Sequence, residues 1–235
     1  MIINLLDIFI TSIILVLVII VFVKKRSKET FTEGHSSFTL KTLAEKPKII
    51  EIQNFLSPEE CDHLIQLAEN RQCFQRSEVQ ADTAMEHDMR TSWSCVLDRG
   101  EDEVVKRIEN RAASFTSRPY THVEPLQVVR YQPGQFFKGH YDFFPPGFPG
   151  TETATLRGGQ RHYTFFVYLN DVQGGGYTHF PKVPLRVSPT KGKAAFWSNL
   201  QPDGTVDYST YHAGEPPHSE VKYGLNIWIR QQPFV

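Results

Sequence analysis

The run Tyr223-Gly224-Leu225-Asn226-Ile227-Trp228-Ile229-Arg230 puts Tyr223, Leu225, Ile227 and Ile229 on one side of an extended chain. Gly224, Asn226, Trp228 and Arg230 fall on the other. Successive side chains leave opposite faces of a strand, so a period of two reads as a β-strand with two different neighbourhoods. Working back along the chain, Ala194–Ser198, His162–Leu169 and Leu126–Tyr131 are also β-rich. Between the runs lie Pro202-Asp203-Gly204, Gly174-Gly175-Gly176 and Pro145-Pro146-Gly147. Short strands punctuated by Gly and Pro turns predict a β-sandwich or jelly roll.

Before Pro119 the texture is helical. Ser57-Pro58-Glu59-Glu60 combines an N-cap, a proline at the first helical position and a glutamate placed to complete a capping box. Cys61, Leu64, Ile65 and Ala68 then recur at helical spacing. A second helix is expected over about Glu101–Ser117, with Val104, Val105, Ile108, Ala112 and Phe115 on one face. Both helices are expected to pack on a sheet, which makes the fold class mainly β with flanking helices (α+β).

The N-terminus is different again. Residues 2–23 are apolar except for Asn4, Asp7, Thr11 and Ser12. As a helix they would span about 33 Å, enough for a bilayer core of about 30 Å. Basic residues follow the run instead of preceding it, and no small-residue cleavage site closes it, which argues for an anchor over a cleaved signal peptide. The expected organisation is a transmembrane anchor over 1–23, a polar tether over 24–46 and a folded domain over 47–235. Lys24, Lys25, Arg26 and Lys28 after the span would favour a cytoplasmic domain.

Of the 235 residues, 25 are basic and 26 acidic, a net charge of −1 that excludes a strongly basic nucleic-acid binder. The three cysteines, Cys61, Cys73 and Cys95, form neither a CxxC pair nor a zinc spacing, and they define no disulfide framework.

Among nine histidines, His140 stands out in Phe137-Lys138-Gly139-His140-Tyr141-Asp142. On a strand, His140 and Asp142 share a face, and imidazole beside carboxylate is two-thirds of a facial triad for non-haem Fe(II). The other histidine would come from His162, His179, His212 or His218. A three-ligand iron keeps open positions for 2-oxoglutarate and O2. The far carboxylate of 2-oxoglutarate then needs a cation, since a buried unpaired carboxylate is costly. Lys222, opening the final strand, can supply one, although a lysine at a strand end is ordinarily solvated.

The ordered set of motifs resembles the prolyl 4-hydroxylase family. The matching segments are Val128–Gln135 with His140-Tyr141-Asp142, Arg161–Asn170, Gly174–Pro181, Lys191–Trp197, and His212-Ala213-Gly214 with Lys222. Met89-Arg90-Thr91-Ser92 is similar to an upstream family segment. The resemblance covers about residues 47–232. It implies a double-stranded β-helix (jelly roll) using Fe(II), 2-oxoglutarate and O2, with ascorbate as reductant. His140, Asp142 and His212 would be the metal ligands, and Lys222, Tyr131 and Thr178 would line the 2-oxoglutarate pocket. Arg161 and Trp228 would lie on the substrate side, and the product would be 4-hydroxyproline in a proline-rich peptide. Departures from the family pattern are Phe137 for a substrate-contacting tyrosine, Gly139 for a frequent proline, and Tyr177 for a frequent glutamate. The alternatives are a related hydroxylase acting on lysyl or another substrate, and a jelly roll without catalysis. The family resemblance favours the endoplasmic reticulum lumen, against the basic cluster at 24–28; membrane association there is expected, with orientation open.

Overall fold

The computed structural model describes residues 29–33, 36–77 and 89–234, and the expected anchor over 1–23 lies outside them. Among the described residues no helix is long and apolar enough to cross a membrane.

Two antiparallel sheets face each other. The larger has nine strands in the order β1(Glu29–Glu33), β2(Ser36–Glu45), β3(Lys48–Gln53), β11(Ala194–Ser198), β8(Arg161–Tyr168), β13(Lys222–Arg230), β6(Gln127–Tyr131), β5(Trp93–Val96), β4(Gln75–Arg76). The smaller runs β10(Leu185–Val187), β9(Thr178–Phe180), β12(His212–Gly214), β7(Phe137–His140). The expected mainly β architecture with packed helices holds, and the paired sheets form the jelly roll. β13 lies in the interior of the large sheet, between β8 and β6.

The two faces of β13 do what their composition dictates. Leu225, Ile227 and Ile229 are fully buried in one core with Val128, Phe165 and Val167. Helices α1 (Pro58–Asn70) and α2 (Glu103–Phe115) cover that core with Cys61, Leu64, Ala68, Val105, Ile108 and Ala112. Each buried Leu or Ile is worth about 1.5–3 kcal/mol of transfer free energy. The opposite face of the sheet meets the smaller sheet in a second core around Val129, Tyr131, Phe166, Tyr168, Phe180 and Trp197.

The helix starts follow from local chemistry. Ser57 Oγ accepts from the Glu60 amide at 3.2 Å, and Glu60 returns a carboxylate to the Ser57 amide at 3.0 Å. That capping box satisfies two otherwise orphaned donors. Glu60 also takes both arms of Arg111, at 2.7 and 2.9 Å, and so ties α1 to α2. Asp102 caps α2 by accepting from the Val104 and Val105 amides.

Two expectations change. The segment 24–46 is more than a tether: β1 and β2 lie within it, β2 pairs with β3, and Phe38 is fully buried. The folded unit therefore starts upstream of Pro47. Ser-Ser-Phe-Thr-Leu-Lys-Thr-Leu carries few apolar residues, but its threonines and alternation suit an edge hairpin. The second change is that Cys73 and Cys95 are joined as a disulfide linking the segment after α1 to β5, and Cys61 is left as a buried thiol.

Candidate metal and co-substrate site

His140 ends β7, His212 opens β12, and these two residues are direct partners in the register of the smaller sheet. Asp142 lies two residues beyond the strand end, in a bend. One ligand atom from each of His140, Asp142 and His212 lies within 4.8 Å of the others. His140 Nε2 is 3.8 Å from Asp142 Oδ1, and His212 Nε2 is 3.7 Å from Asp142 Oδ2.

Both imidazoles are set for ligation by backbone carbonyls. His140 Nδ1 is 2.9 Å from the Lys138 carbonyl, and His212 Nδ1 is 2.9 Å from the Thr210 carbonyl. A carbonyl can only accept, so each Nδ1 donates, and each Nε2, the ring nitrogen on the Asp142 side, is the atom left to face a metal. The carboxylate is held too. Thr164 Oγ1 donates to Asp142 Oδ2 at 2.8 Å, Asn199 Nδ2 donates to that hydroxyl at 2.9 Å, and Trp197 Nε1 donates to Asn199 Oδ1 at 2.9 Å. Burial, and then the neighbouring His212, push His140 down to about 3. Burial alone would raise Asp142, but the two imidazoles, Arg161 and the Thr164 hydroxyl outweigh it and hold the carboxyl below its usual range. Neutral imidazole with ionised carboxylate is the protonation state a divalent metal requires.

The same chamber is lined by Lys222, Tyr131, Thr178, Asn226 and Trp228. Lys222 is 1% exposed, and its Nζ has no hydrogen-bond partner among the described residues. The rings of Phe166, Tyr131 and Tyr168 lie 4.8, 5.0 and 5.5 Å from it. Burial pushes this amine down to about 7, against the weaker opposing pull of Glu215. A buried cation without a partner is costly, and an anionic ligand would remove the cost. Lys222 sits directly opposite Tyr131 in the β13–β6 register. Burial raises the Tyr131 phenol, which keeps it a neutral donor. Thr178 is on hand, its Oγ1 2.7 Å from the Tyr168 hydroxyl. These residues fit Fe(II) and 2-oxoglutarate: three ligating atoms on one side, one orphaned cation on the other.

Trp228 and Asp142 also face a second, wider mouth, with Arg161, Phe143, Phe144 and Phe148. Arg161 is held by Glu124 through two bonds of 2.8 and 2.9 Å, and its guanidinium lies 3.6 Å from the centroid of a Trp228 ring. Thr164 lies within the Arg161–Asn170 segment without a role assigned to it there, Glu124 and Asn199 fall outside every matched segment, and sequence reasoning missed all three. Only the Trp197-Ser198-Asn199 run at the end of a strand could have hinted at the last.

The other candidate histidines lie elsewhere. His179 pairs with Glu215 at 3.1 Å, His162 meets Arg118 at 3.0 Å, and His218 packs beside Gly174 and Gly175. Gly139, a departure from the family pattern, has a steric reason: a Cβ there would collide with the Tyr211 ring.

Residues 126–230 match the model of the 2OG-Fe(II) oxygenase superfamily, so fold and site define a 2-oxoglutarate-dependent dioxygenase. Probable prolyl 4-hydroxylase 3 of Arabidopsis thaliana is 35% identical over 208 residues, 80% of this chain and 70% of that protein. Prolyl 4-hydroxylase 5 of the same plant is 35% identical over 223 residues, 86% and 75% of the two chains. A solved viral collagen prolyl hydroxylase of Paramecium bursaria Chlorella virus-1, in complex with 2OG, aligns at 31% identity with a TM-score of 0.62, covering 77% of this chain and 95% of that one. The chain belongs to the prolyl 4-hydroxylase family.

Proposed function

We propose that this chain hydroxylates peptidyl proline to 4-hydroxyproline, with His140, Asp142 and His212 holding Fe(II) and Lys222 holding the far carboxylate of 2-oxoglutarate. The observation that carries the site assignment is the His140–Asp142–His212 triad sharing one chamber with an orphaned, buried Lys222 Nζ. Iron, 2-oxoglutarate and O2 together supply the oxidation, in which decarboxylation to succinate and CO2 accompanies transfer of one oxygen atom to the substrate.

The protein's contribution is position, charge and exclusion of water. Lys222 and the Tyr131 and Thr178 hydroxyls fix the co-substrate's distal end. The Trp197–Asn199–Thr164 chain keeps the Asp142 carboxylate in one orientation. Trp228 lies between the two chambers, and its Nε1 has no partner among the described residues, which leaves a donor for a substrate carbonyl. Arg161 is a second donor there, fixed by Glu124. Phe143, Phe144 and Phe148 offer flat apolar surface to a proline-rich segment, whose polyproline II form is already extended and loses little entropy on docking.

Ascorbate is the proposed reductant that keeps the iron ferrous. Residues 2–23 are proposed as a membrane anchor in the endoplasmic reticulum. The Cys73–Cys95 disulfide supports a luminal domain, because such bonds persist in oxidising compartments. Protease protection in microsomes tests that side.

The test of function is mass spectrometry of proline-rich peptides incubated with the protein, Fe(II), 2-oxoglutarate, ascorbate and air. The expected result is a gain of about 16 Da on proline, the mass of one oxygen atom inserted by the cofactor chemistry, with 4-hydroxyproline recovered after hydrolysis. Oxygen gained only on lysine, or only on free small molecules, would overturn the prolyl assignment and leave the dioxygenase standing.

A further inference from the structure

Of the three proposed ligands, His140 is the least enclosed: its side chain is 16% exposed, against 7% for Asp142 and 6% for His212. Asp142 has Thr164, and His212 has Trp197, with ring centroids 4.7 Å apart, and Phe180 at 5.5 Å. Besides the Lys138 carbonyl at Nδ1 and the neighbouring His212 ring, the His140 ring meets Phe137. The Phe137 and His140 rings stack with centroids 3.5 Å apart and planes 13° apart. The guanidinium of Arg90 lies 4.5 Å from the same Phe137 centroid. Two groups this close to one centroid cannot share a face, so Phe137 is sandwiched between Arg90 and His140.

Arg90 is itself fixed. Its Nε donates to Ser92 Oγ at 3.0 Å, and its Nη2 to Gln127 Oε1 at 3.4 Å. Gln127 Oε1 also accepts from Asn226 Nδ2 at 3.0 Å. The backbone completes the clasp: Arg90 bridges Phe137, the Thr91 amide donates to the Phe136 carbonyl at 2.8 Å, and the Phe136 amide donates to Thr91 Oγ1 at 2.7 Å. Arg90-Thr91-Ser92 is thus docked along the strand that ends in His140.

We infer that Arg90 and Phe137 are positioning residues for the His140 imidazole, acting as a cation–aromatic–imidazole stack that pre-orients a metal ligand. This rests on the reading of His140 as a ligand. The cation holds the ring face electrostatically, and the ring holds the imidazole by stacking. Preset ligand orientation is worth about tenfold or more in metal affinity. On this account a tyrosine at 137 would preserve the function of Phe137, because the stack uses the ring and not a hydroxyl.

The alternative role of Arg90 is its field, and it has the opposite sign. A fixed positive charge near the site repels a divalent cation, so losing it would tighten metal binding. Titrating Co(II) into the full chain without co-substrate, followed by its visible absorption, separates the two. Arg90→Met and Phe137→Leu should each weaken Co(II) binding about tenfold, and the double variant should be no worse than either single, since both break one stack. Phe137→Tyr should bind Co(II) like the wild type. Tighter binding in Arg90→Met, or unchanged binding in Phe137→Leu, overturns the inference. If Arg90→Met does not fold, the Phe137→Leu and Phe137→Tyr pair decides alone. His140→Ala is the control: unchanged affinity there would show that the ligand assignment has failed, whereas lost affinity there with normal binding in Phe137→Leu would show that only the stack has.

Discussion

Replacing Lys222 with methionine keeps most of the buried stem and removes the charge. In the free protein this amine sits at about 7 because burial penalises its charged form. A bound dicarboxylate would restore the charge and move it back toward the ordinary lysine value of 10.5. That change corresponds to about 5 kcal/mol at about 1.4 kcal/mol per pH unit, close to the roughly 3–5 kcal/mol lost when one side of a buried pair is removed. Lys222→Met should therefore weaken 2-oxoglutarate binding by about two to four powers of ten.

The same reasoning fixes a pH dependence. Below pH 7 the amine is already charged and affinity is flat. Above 7 binding must take up a proton, so affinity falls up to tenfold per pH unit. Calorimetry on Mn(II)-loaded protein in two buffers of different ionisation enthalpy counts that proton: about 0.9 taken up at pH 8 and about 0.1 at pH 6. The free protein has the opposite trend. An amine depressed in the fold but ordinary in the unfolded chain destabilises fully below pH 7, and this penalty is relieved as pH rises from 7 to 10.5. Proton uptake that persists in Lys222→Met, or an affinity unaltered by that substitution, would refute the reasoning.

Other consequences are as direct. Thr164→Val removes the donor to Asp142 and strands the Asn199 amide, so Mn(II) affinity measured by calorimetry should fall about tenfold or more, with about 1–3 kcal/mol of stability lost. Gly139→Ala forces a methyl into the Tyr211 ring and should cost about 1–3 kcal/mol in chemical denaturation, most of it recovered when Tyr211→Ala is added. Cys73→Ser with Cys95→Ser opens a disulfide spanning 22 residues and should cost about 3 kcal/mol, read as a lower Tm that dithiothreitol reproduces in the wild type.

The sequence made the central scaffold legible where periodicity ran long enough to be read. β13 was visible as an alternation, and its two faces are the helix-covered core and the chamber wall. α1 was readable from Ser57 and its capping box, and α2 ran over Glu103–Phe115, two residues shorter at each end than the apolar stripe suggested. The smaller sheet was not legible from periodicity. β9, β10 and β12 have three residues each, too few to show any period, yet β12 carries His212. The motif order supplied by family resemblance picked out His212 from among four candidates; the pairing of His212 with His140 across two strands gives that choice its geometry. Lys222 as a chemical group was legible, but its isolation was not, because burial by Phe166 and Tyr168 is a property of the assembled sheet. Phe137 looked like a lost substrate contact and proves to be stacked on His140. Cys73 and Cys95, odd members of a set of three, gave no spacing signal, and only the antiparallel placement of β4 and β5 brings them together.

The most direct test of the central claim is an anaerobic titration of Fe(II) and 2-oxoglutarate into the full chain, followed by visible absorption. A weak metal-to-ligand charge-transfer band should appear only when both are present, saturate at one iron per chain, and vanish in His212→Ala. No band in the wild type, or the same band in His212→Ala, would contradict the assignment of His140, Asp142 and His212 as the iron site.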